Sequence, residues 1–388
     1  MIKFFHGIKY ICVIFLYFIS YPLAFILYGR KRYWLISEVA FDARDNGIHF
    51  FKYLRENHKE INALYLISKN NHEYNVVRKI GHTIEPYSYK HMLIFIASKA
   101  KISTAVHGCS PAGYVTKYLL KHHGTGKNIA LKHGIFKNLH PNYFKENAHL
   151  DLICCGGKPE YDFIKKEFGY DSDAVKYTGL ARFDGLHSGE LRKEIFVMPT
   201  WRRWLDSVKT VDEFKMSEYF KSWFGLLQSD SFLNHVHSNN FVVCFYIHPK
   251  LNRFIEAFGG VDSSINFVNS IQGASVQKHL REAELLITDF SSVFFDFAYL
   301  LKPTIYFQFD QERFNQSHYK KGYFDYYQDG FGKVCTTLEE VENEFVSIFD
   351  NEFKLMEPYY KRASDFFTIR DSNNCERIFR EIQRVLYK

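Results

Sequence analysis

The strongest local signal in the sequence is the stretch AELLITDFSSVFFDFAYLLKP, from Ala283 to Pro303. Its first part is an apolar run that ends at Thr288 and Asp289, which is typical of a buried strand. Further on, apolar residues recur with the period of a helix that buries one face. Ser291 and Ser292 stand between the two parts, where hydroxyl side chains cap helix N-termini. The stretch predicts a strand, a turn that binds an anion through free backbone N–H groups, and a helix; the alternative is that Ser291 only caps the helix.

Apolar strand-like runs alternate with helical segments along most of the chain. The runs are YWLIS, INALYLIS, KISTAVHG, NIALKHG and DLICCGG before a polar segment at 181–194, and IFVMPT, FVVCFYIHP, SINFVN, AELLITDF and PTIYFQF after it. Strands that alternate with helices indicate parallel α/β sheets. We therefore expect two Rossmann-like domains facing a cleft, at residues 33–188 and 189–388, with ligands bound beyond the carboxyl ends of the strands.

Residues 1–32 have a different character. An apolar run from Ile11 to Leu27 is flanked by basic residues on both sides, namely Lys3, Lys9, Arg30, Lys31 and Arg32. The run is near the lower length limit for a bilayer span, Pro22 interrupts it, and no small-x-small cleavage site follows it. Basic flanks on both sides favour a monotopic or re-entrant anchor at the anionic inner leaflet over a simple span. The alternative is a buried first helix.

Composition and missing motifs exclude several classes of protein. The chain has 388 residues, a formal net charge of +7 and seven cysteines without CxxC spacing. The cysteines are expected to be reduced core residues of a cytosolic protein, without a disulfide frame or metal site, and no nucleic-acid-binding signature is present. The sequence also lacks a P-loop, a well-placed GxGxxG, HExxH and GxSxG, which argues against P-loop hydrolases, dehydrogenases, metalloproteases and α/β-hydrolases.

Histidine and arginine residues follow several predicted strands. His107, His133 and His248 stand at the ends of TAVHG, ALKHG and FYIHP, where a histidine can act as a general base or contact phosphate. Arg202 follows the strand that opens the second domain, in MPTWRR, and its planar guanidinium suits phosphate. Any one of these residues could instead have only a structural or surface role.

Five motifs in this order resemble the CDP-glycerol glycerophosphotransferase family, whose members prime and polymerise teichoic acids. The motifs are TDFSSVFFDFAYLLKP, PTWR, HP after a strand, HG after a strand, and YTGLARFD. Two further segments, VAFDARDNGIHFFKYLREN and GYFDYYQDGFGKV, resemble a branch associated with capsule and other surface polysaccharides. The sequence departs from the family pattern at Ile135 of the HG motif, at Phe290 of TDFSS, and at Lys333, where proline is usual.

The resemblance implies a GT-B fold, attachment to the cytoplasmic face of the inner membrane, and transfer of glycerol phosphate from CDP-glycerol to a hydroxyl of a polysaccharide or lipid-linked acceptor, with release of CMP. No cofactor or metal is implied. By motif, His133 corresponds to the proposed base and His248 to the histidine at the donor phosphates. The remaining donor-side residues are Arg202, Thr288, Asp289, Ser291, Ser292 and Asp296.

Two other functions fit parts of this pattern. A GT-B glycosyltransferase that uses a nucleotide sugar would share the fold, because fold does not settle chemistry. A catalytically silent membrane-bound scaffold in a polymer-assembly complex would tolerate substitution at His248 and Ser291. Within the favoured family, ribitol could replace glycerol as the alditol, and His107 could replace His133 as the base.

Overall fold

The computed structural model describes residues 2–112, 125–269, 275–317 and 322–388, with side chains from residue 13 onward. The chain forms two compact units. The first unit consists of Met1–Phe136, His140–Gly185 and Asp371–Lys388, and the second of Lys137–Leu139 and Leu186–Arg370.

The first unit contains a seven-stranded parallel sheet in the order β3-β2-β1-β4-β5-β6-β7. Its strands are β1 (Trp34–Ser37), β2 (Ala63–Leu66), β3 (Thr83–Ile84), β4 (Ala100–Ser103), β5 (Lys127–Ala130), β6 (Leu152–Cys155) and β7 (Val175–Tyr177). All residues of β1, β2, β4 and β6 are buried. This burial explains the predominantly apolar sequences of β1, β2 and β6, because helices cover both faces of a parallel sheet. The five strands predicted for this half are confirmed.

One long helix precedes the strands of the first sheet, and further helices connect them. They are α1 (Ile2–Tyr28), α2 (Asn46–Asn57), α3 (Tyr74–Ile80), α4 (Tyr89–Ala97), α5 (Lys145–Ala148) and α6 (Lys158–Glu167). α1 packs along α4 through Tyr17 and Ala24, which belong to the same apolar cluster as Leu93 and Ile96 of α4. Ser20, between them in sequence, donates a hydrogen bond to the hydroxyl of Tyr89 (3.1 Å).

The second unit contains a six-stranded parallel sheet in the order β10-β9-β8-β11-β12-β13. Its strands are β8 (Glu194–Met198), β9 (Val242–Tyr246), β10 (Ile265–Val268), β11 (Leu285–Thr288), β12 (Thr304–Phe307) and β13 (Gly332–Cys335). Its helices are α7 (Val211–Met216), α8 (Glu218–Leu227), α9 (Asp230–Ser238), α10 (Val276–Glu282), α11 (Phe294–Tyr299), α12 (Gln311–Ser317), α13 (Leu338–Asp350) and α14 (Tyr359–Phe366). The five strands predicted here are also confirmed.

The last helix, α15 (Asn374–Tyr387), belongs to the first unit, whereas the sequence-based boundaries place it in the second domain. Its apolar face packs into the first core through Ile378, Phe379 and Ile382. The carboxylate of Asp184 accepts hydrogen bonds from the backbone N–H groups of Asn374 and Cys375 (2.8 Å each). The boundary between Gly185 and Leu186 lies close to the predicted one.

Both sheets have a topological switch point. In each sheet the chain first extends to one side of the opening strand and then returns to its other side, so that β1 lies beside β4 and β8 beside β11. Helices leave such neighbouring strands in opposite directions, which opens a crevice beyond their carboxyl ends. A functional site in each unit is therefore expected among the residues that follow these strands.

Candidate active site

In the first unit, a histidine and an aspartate form a close pair. His133 follows β5, and its Nδ1 atom lies 2.6 Å from Oδ2 of Asp45, which follows β1. The imidazole is 72% exposed and the Asp45 carboxylate is buried. A buried carboxylate on Nδ1 fixes the ring and its tautomer, and leaves Nε2 to exchange a proton with a substrate.

Arg182 completes this cluster. Its Nη1 atom donates to Oδ1 of Asp45 (2.7 Å) and to the backbone carbonyl of His133 (2.7 Å). The backbone N–H of Arg182 donates to the side chain of Asn46 (3.0 Å), whose amide donates to the carbonyl of Lys132 (2.8 Å). These hydrogen bonds connect the turn after β1, the turn after β5 and the LARFD segment to one another.

The pKa values of the pair shift in opposite directions. Burial raises the pKa of Asp45, but the Arg182 charge and the hydrogen bond from His133 outweigh it, and the net pKa is lowered. The hydrogen bond to Asp45 and its negative charge raise the pKa of His133. The pair therefore stabilises a proton on the imidazole, as a general base requires in the transition state.

Two buried glutamates support the loops that carry the pair. Glu38 accepts hydrogen bonds from the backbone N–H groups of Arg44 (2.7 Å), Asp45 (3.0 Å) and Ile48 (2.7 Å). A Cβ atom at Gly47 would come within 2.7 Å of the Glu38 side chain, which explains the glycine in RDNG. In the turn after β5, the residue before His133 is the fully buried Lys132, which forms an ion pair with Glu160.

His107, the alternative base, lies in the turn after β4. It is half-buried and has a left-handed backbone conformation (φ 56°). The sequence predicted His133 as the base with His107 as the alternative, and it missed Asp45 and Arg182. Both lie in motifs that carried the resemblance, ARDNG and LARFD, but neither motif identifies their partner.

In the second unit, the loops after β8 and β11 meet around a buried arginine. Arg202 is fully buried, and its Nε and Nη2 atoms donate to the carboxylate of Asp310 (2.7 and 2.9 Å). Its Nη1 atom lies 2.8 Å from Asp289 and donates to the carbonyl of Thr200 (2.5 Å). Asp289 in turn accepts from the backbone N–H of Thr200 (2.8 Å).

This burial changes the interpretation of several predicted donor-binding residues. The guanidinium of Arg202 is fully buried and bound to Asp289, Asp310 and Thr200, and Thr288 is buried and donates its hydroxyl hydrogen to the carbonyl of Met198 (2.6 Å). Asp289 and Asp296 are also buried. That these four side chains touch the donor stays a prediction, whereas the structure shows that three of them join the PTWR and TDFSS loops.

The helix after TDFSS starts later than the sequence predicts. Neither Ser291 nor Ser292 caps it, because α11 begins at Phe294 and the residue at the cap position is Val293, in a helical conformation. Ser291 and Ser292 are half-buried and lie in the turn between β11 and this short helix. The expected capping interaction is therefore wrong, and the two hydroxyls remain candidate donor contacts. Asp296 lies on the first turn of α11, as expected.

Lys137 is a residue that the sequence did not single out. Its Nζ atom donates to the carbonyl of Phe290 (2.6 Å) and to the hydroxyl of Tyr326. Burial lowers its pKa to about 7, and the charge of Asp289 opposes this shift. Lys137 thus holds the backbone directly before Ser291. The only sequence signal is its position four residues after His133.

His248 follows β9, next to the strand that leads to Trp201. Its ring is 6.0 Å from the Trp201 ring at an angle of 23°, and its Nδ1 atom accepts from the backbone N–H of Lys250 (3.3 Å). The ammonium of Lys250 lies 3.6 Å above the Trp201 ring. Burial, and then the Lys250 charge, lower the pKa of His248. A neutral histidine beside a lysine suits hydrogen bonding to a phosphate.

One group of side chains in the described part of the chain has the chemistry of a metal site. Glu194, Cys244 and His279 bring one ligand atom each to within 4.8 Å of one another. Oε1 of Glu194 lies 2.6 Å from Nδ1 of His279, a hydrogen-bond distance. Glu194 is the first residue of β8, whereas the loops with Arg202 and Ser291 follow the last residues of β8 and β11. Glu194 therefore lies at the opposite end of its strand from the loops of the candidate site.

Comparison with known proteins identifies the family. A model of the CDP-glycerol:poly(glycerophosphate) glycerophosphotransferase family matches residues 19–384. The minor teichoic acid biosynthesis protein GgaB of Bacillus subtilis is 30% identical over 92% of this chain and 40% of its own length. The teichoic acid glycerol-phosphate primase of the same organism is 23% identical over 57% of this chain and 56% of its own. The chain thus spans about half the length of these curated relatives.

Solved structures agree on the fold. The wall teichoic acid polymerase TagF matches with a TM-score of 0.70 and 15% identity over 92% of this chain and 90% of that chain. The structure of S. aureus MnaA with UDP matches with a TM-score of 0.56 and 13% identity over 92% of this chain and 96% of that one. These similarities confirm the GT-B class of α/β fold. Because the family model covers nearly all of it, the chain belongs to the CDP-glycerol:poly(glycerophosphate) glycerophosphotransferase family.

Proposed function

We propose that this chain is an enzyme that transfers glycerol phosphate from CDP-glycerol to a hydroxyl of a teichoic acid or related surface polysaccharide and releases CMP. The observation that carries the proposal is the Asp45–His133 pair, at 2.6 Å, in a chain whose family is named for this reaction. An exposed imidazole oriented by a buried carboxylate is the arrangement that proton abstraction from a hydroxyl needs.

In the proposed reaction, Nε2 of His133 takes the proton of the acceptor hydroxyl. The acceptor oxygen forms a bond to the phosphorus that bears glycerol, while the bond from that phosphorus to the bridging oxygen of the diphosphate breaks. CMP leaves with the bridging oxygen, and His133 later gives its proton to water. In phosphoryl-type transfers of this kind, positioning and electrostatic stabilisation lower most of the barrier.

The second unit supplies the donor side in this proposal. His248, Lys250 and the hydroxyls of Ser291 and Ser292 bind the diphosphate. Arg202 acts indirectly: its bonds to Asp289, Asp310 and Thr200 hold the loops in place. A fixed loop makes a larger contribution to catalysis than a mobile one, because its donors need no reorganisation as charge develops.

We also propose that α1 attaches the enzyme to the cytoplasmic face of the membrane without crossing it. The segment Val13–Lys31 has the length and apolar composition of a membrane span. Its outward side chains are exposed, among them Phe15 (66%), Ile19 (57%) and Ile26 (78%), which argues against a buried core helix. Its other side packs on α4 through Tyr17 and Ala24. A helix packed on a globular unit in this way can embed one apolar face at the membrane surface.

A donor screen tests the proposed reaction. The purified chain is incubated with an acceptor extract and with CDP-glycerol, CDP-ribitol or UDP-sugars, and released CMP and UDP are quantified. We expect CMP release from CDP-glycerol. Release of UDP from a UDP-sugar would show a glycosyltransferase, and no release from any donor would show a scaffold.

A further inference from the structure

A cavity of about 650 Å³ lies in the first unit at the carboxyl ends of α1 and α4. Its lining combines the half-exposed apolar ring of Phe25 of α1 and the last residues of α4, Ile96 and Ala97, with the cationic side chains of Arg30, Arg32 and Lys99. This volume is within the range of small-ligand sites, roughly 300–1,000 Å³. A cavity that is apolar on one side and cationic on the other suits an amphipathic anion.

The three cations are available to a ligand. Arg30, Arg32 and Lys99 are all exposed, and the ion pairs of the described residues include none of them. The carboxyl ends of two helices contribute about half a negative charge each, which leaves a net charge of about +2 at the cavity. Arginine side chains bind phosphate through two parallel hydrogen bonds, so an anion with a phosphate group is favoured.

Two residues that line the cavity, Arg32 and Gly126, have a positive backbone φ angle. Arg32 has a left-handed conformation (φ 47°), which is uncommon for a residue other than glycine. Gly126 also has a positive φ (70°), and a Cβ atom there would come within 2.1 Å of the carbonyl of Ser98. Glycine is thus required at 126 for the wall to close in this way.

The position of the cavity relative to the apolar helix identifies the ligand class. The exposed apolar side chains of α1, including Ile19 and Ile26, come before Arg30 and Arg32 in the chain. If α1 is embedded in a membrane by these apolar side chains, the two arginines that follow lie at the level of the lipid phosphates. We propose that the cavity binds the phosphate headgroup of an anionic phospholipid, whose acyl chains lie along the apolar face of α1. This inference rests on the proposed membrane attachment through α1.

Vesicle binding by the full chain tests the proposal. Co-sedimentation is measured with vesicles of phosphatidylcholine alone and of phosphatidylcholine mixed with phosphatidylglycerol. The site variant is R30Q/R32Q/K99Q, and the matched control is K52Q/K79Q/K166Q, which removes the same charge from exposed lysines of the same unit. Since each basic residue near an anionic surface changes partitioning about fivefold, we expect the site variant to lose roughly a hundredfold and the control less than fivefold on the mixed vesicles. Equal losses would mean unspecific charge attraction and overturn the proposal.

A second measurement separates a lipid headgroup from free phosphate. Isothermal titration of the wild-type chain with short-chain phosphatidylglycerol below its micelle concentration should give saturable binding with one site, lost in the site variant, and titration with inorganic phosphate should give much weaker binding. Equal binding of both ligands would overturn the lipid assignment. CMP release from CDP-glycerol with a soluble acceptor is measured on the same samples. Loss of vesicle binding with retained CMP release separates failure at the cavity from failure of the proposed enzyme function.

Discussion

His133 Nδ1 and Asp45 Oδ2 lie 2.6 Å apart, although the two residues are 88 positions apart in the sequence. Asp45 is buried and also bonded to Arg182, so it cannot move away from the imidazole without breaking a buried ion pair. His133 therefore presents one ring nitrogen to the exposed side in a fixed orientation.

Replacement of His133 by alanine should lower the rate of CMP release from CDP-glycerol by about 10²–10⁴-fold, the range for loss of a general base. The chain offers a control in His237, which is half exposed and whose Nε2 atom lies 2.8 Å from Asp262 in another His–Asp pair. His237→Ala should leave the rate unchanged. Near-normal turnover by His133→Ala would transfer the role to His107.

Replacement of Asp45 by asparagine should shift the pH profile of kcat/KM. The hydrogen bond to Asp45 and its charge raise the pKa of His133, and the base acts in its neutral form, so the wild-type rate rises with pH through a pKa above the ordinary histidine value. Without the carboxylate this limb should move to lower pH, while the plateau falls because the ring loses its orientation. An acid limb that stays in place would show that another group controls it.

Replacement of Arg202 by alanine should destabilise the fold by about 3–5 kcal/mol, because it leaves the carboxylates of Asp289 and Asp310 buried without their partner. The neighbouring exposed Arg203 provides the control, and Arg203→Ala should change the free energy of unfolding by less than about 0.5 kcal/mol. Chemical denaturation measures both. Unchanged stability together with a higher KM for CDP-glycerol would instead support direct contact with the diphosphate.

Replacement of Lys137 by methionine should weaken the binding of CDP-glycerol about 10-fold, because the buried carbonyl of Phe290 loses its hydrogen-bond donor and the turn with Ser291 is released. Lys333→Met, which removes a half-exposed ion pair with Glu344, should leave binding unchanged. Calorimetric titration with CDP-glycerol compares the two variants. Equal affinity of Lys137→Met and wild type would show that Lys137 does not position the turn.

The sequence predicts the strands well because buried strands of parallel sheets are continuous apolar runs. It does not find β3 (Thr83–Ile84) or β7 (Val175–Tyr177), which are too short to show a pattern, or β13 (Gly332–Cys335), whose sequence GKVC is not a continuous apolar run. It also places the start of α11 too early, because apolar periodicity begins at Val293 before the backbone has formed a helical turn. The return of α15 to the first unit depends on tertiary contacts, such as that between Asp184 and Asn374, which chain order does not reveal.

The candidate site was predictable only in part. A histidine after a strand is visible in the sequence, and His133 and His248 were found in this way. The burial of Arg202 depends on Asp310, a residue 108 positions away, so the sequence alone suggests an arginine that is free to bind phosphate. The sequence did not identify Asp45 and Arg182 for the same reason, because each acquires its role from a partner that the fold brings near.

The proposed transfer has two products, CMP and an acceptor that carries glycerol phosphate, and both can be measured in one experiment. CDP-glycerol labelled in the glycerol is incubated with the enzyme and an acceptor extract, and CMP release is compared with label bound to the acceptor. The proposed transfer predicts one label incorporated for each CMP released, and loss of both in His133→Ala. Release of CMP without incorporation of label, or incorporation that persists without His133, would contradict the account.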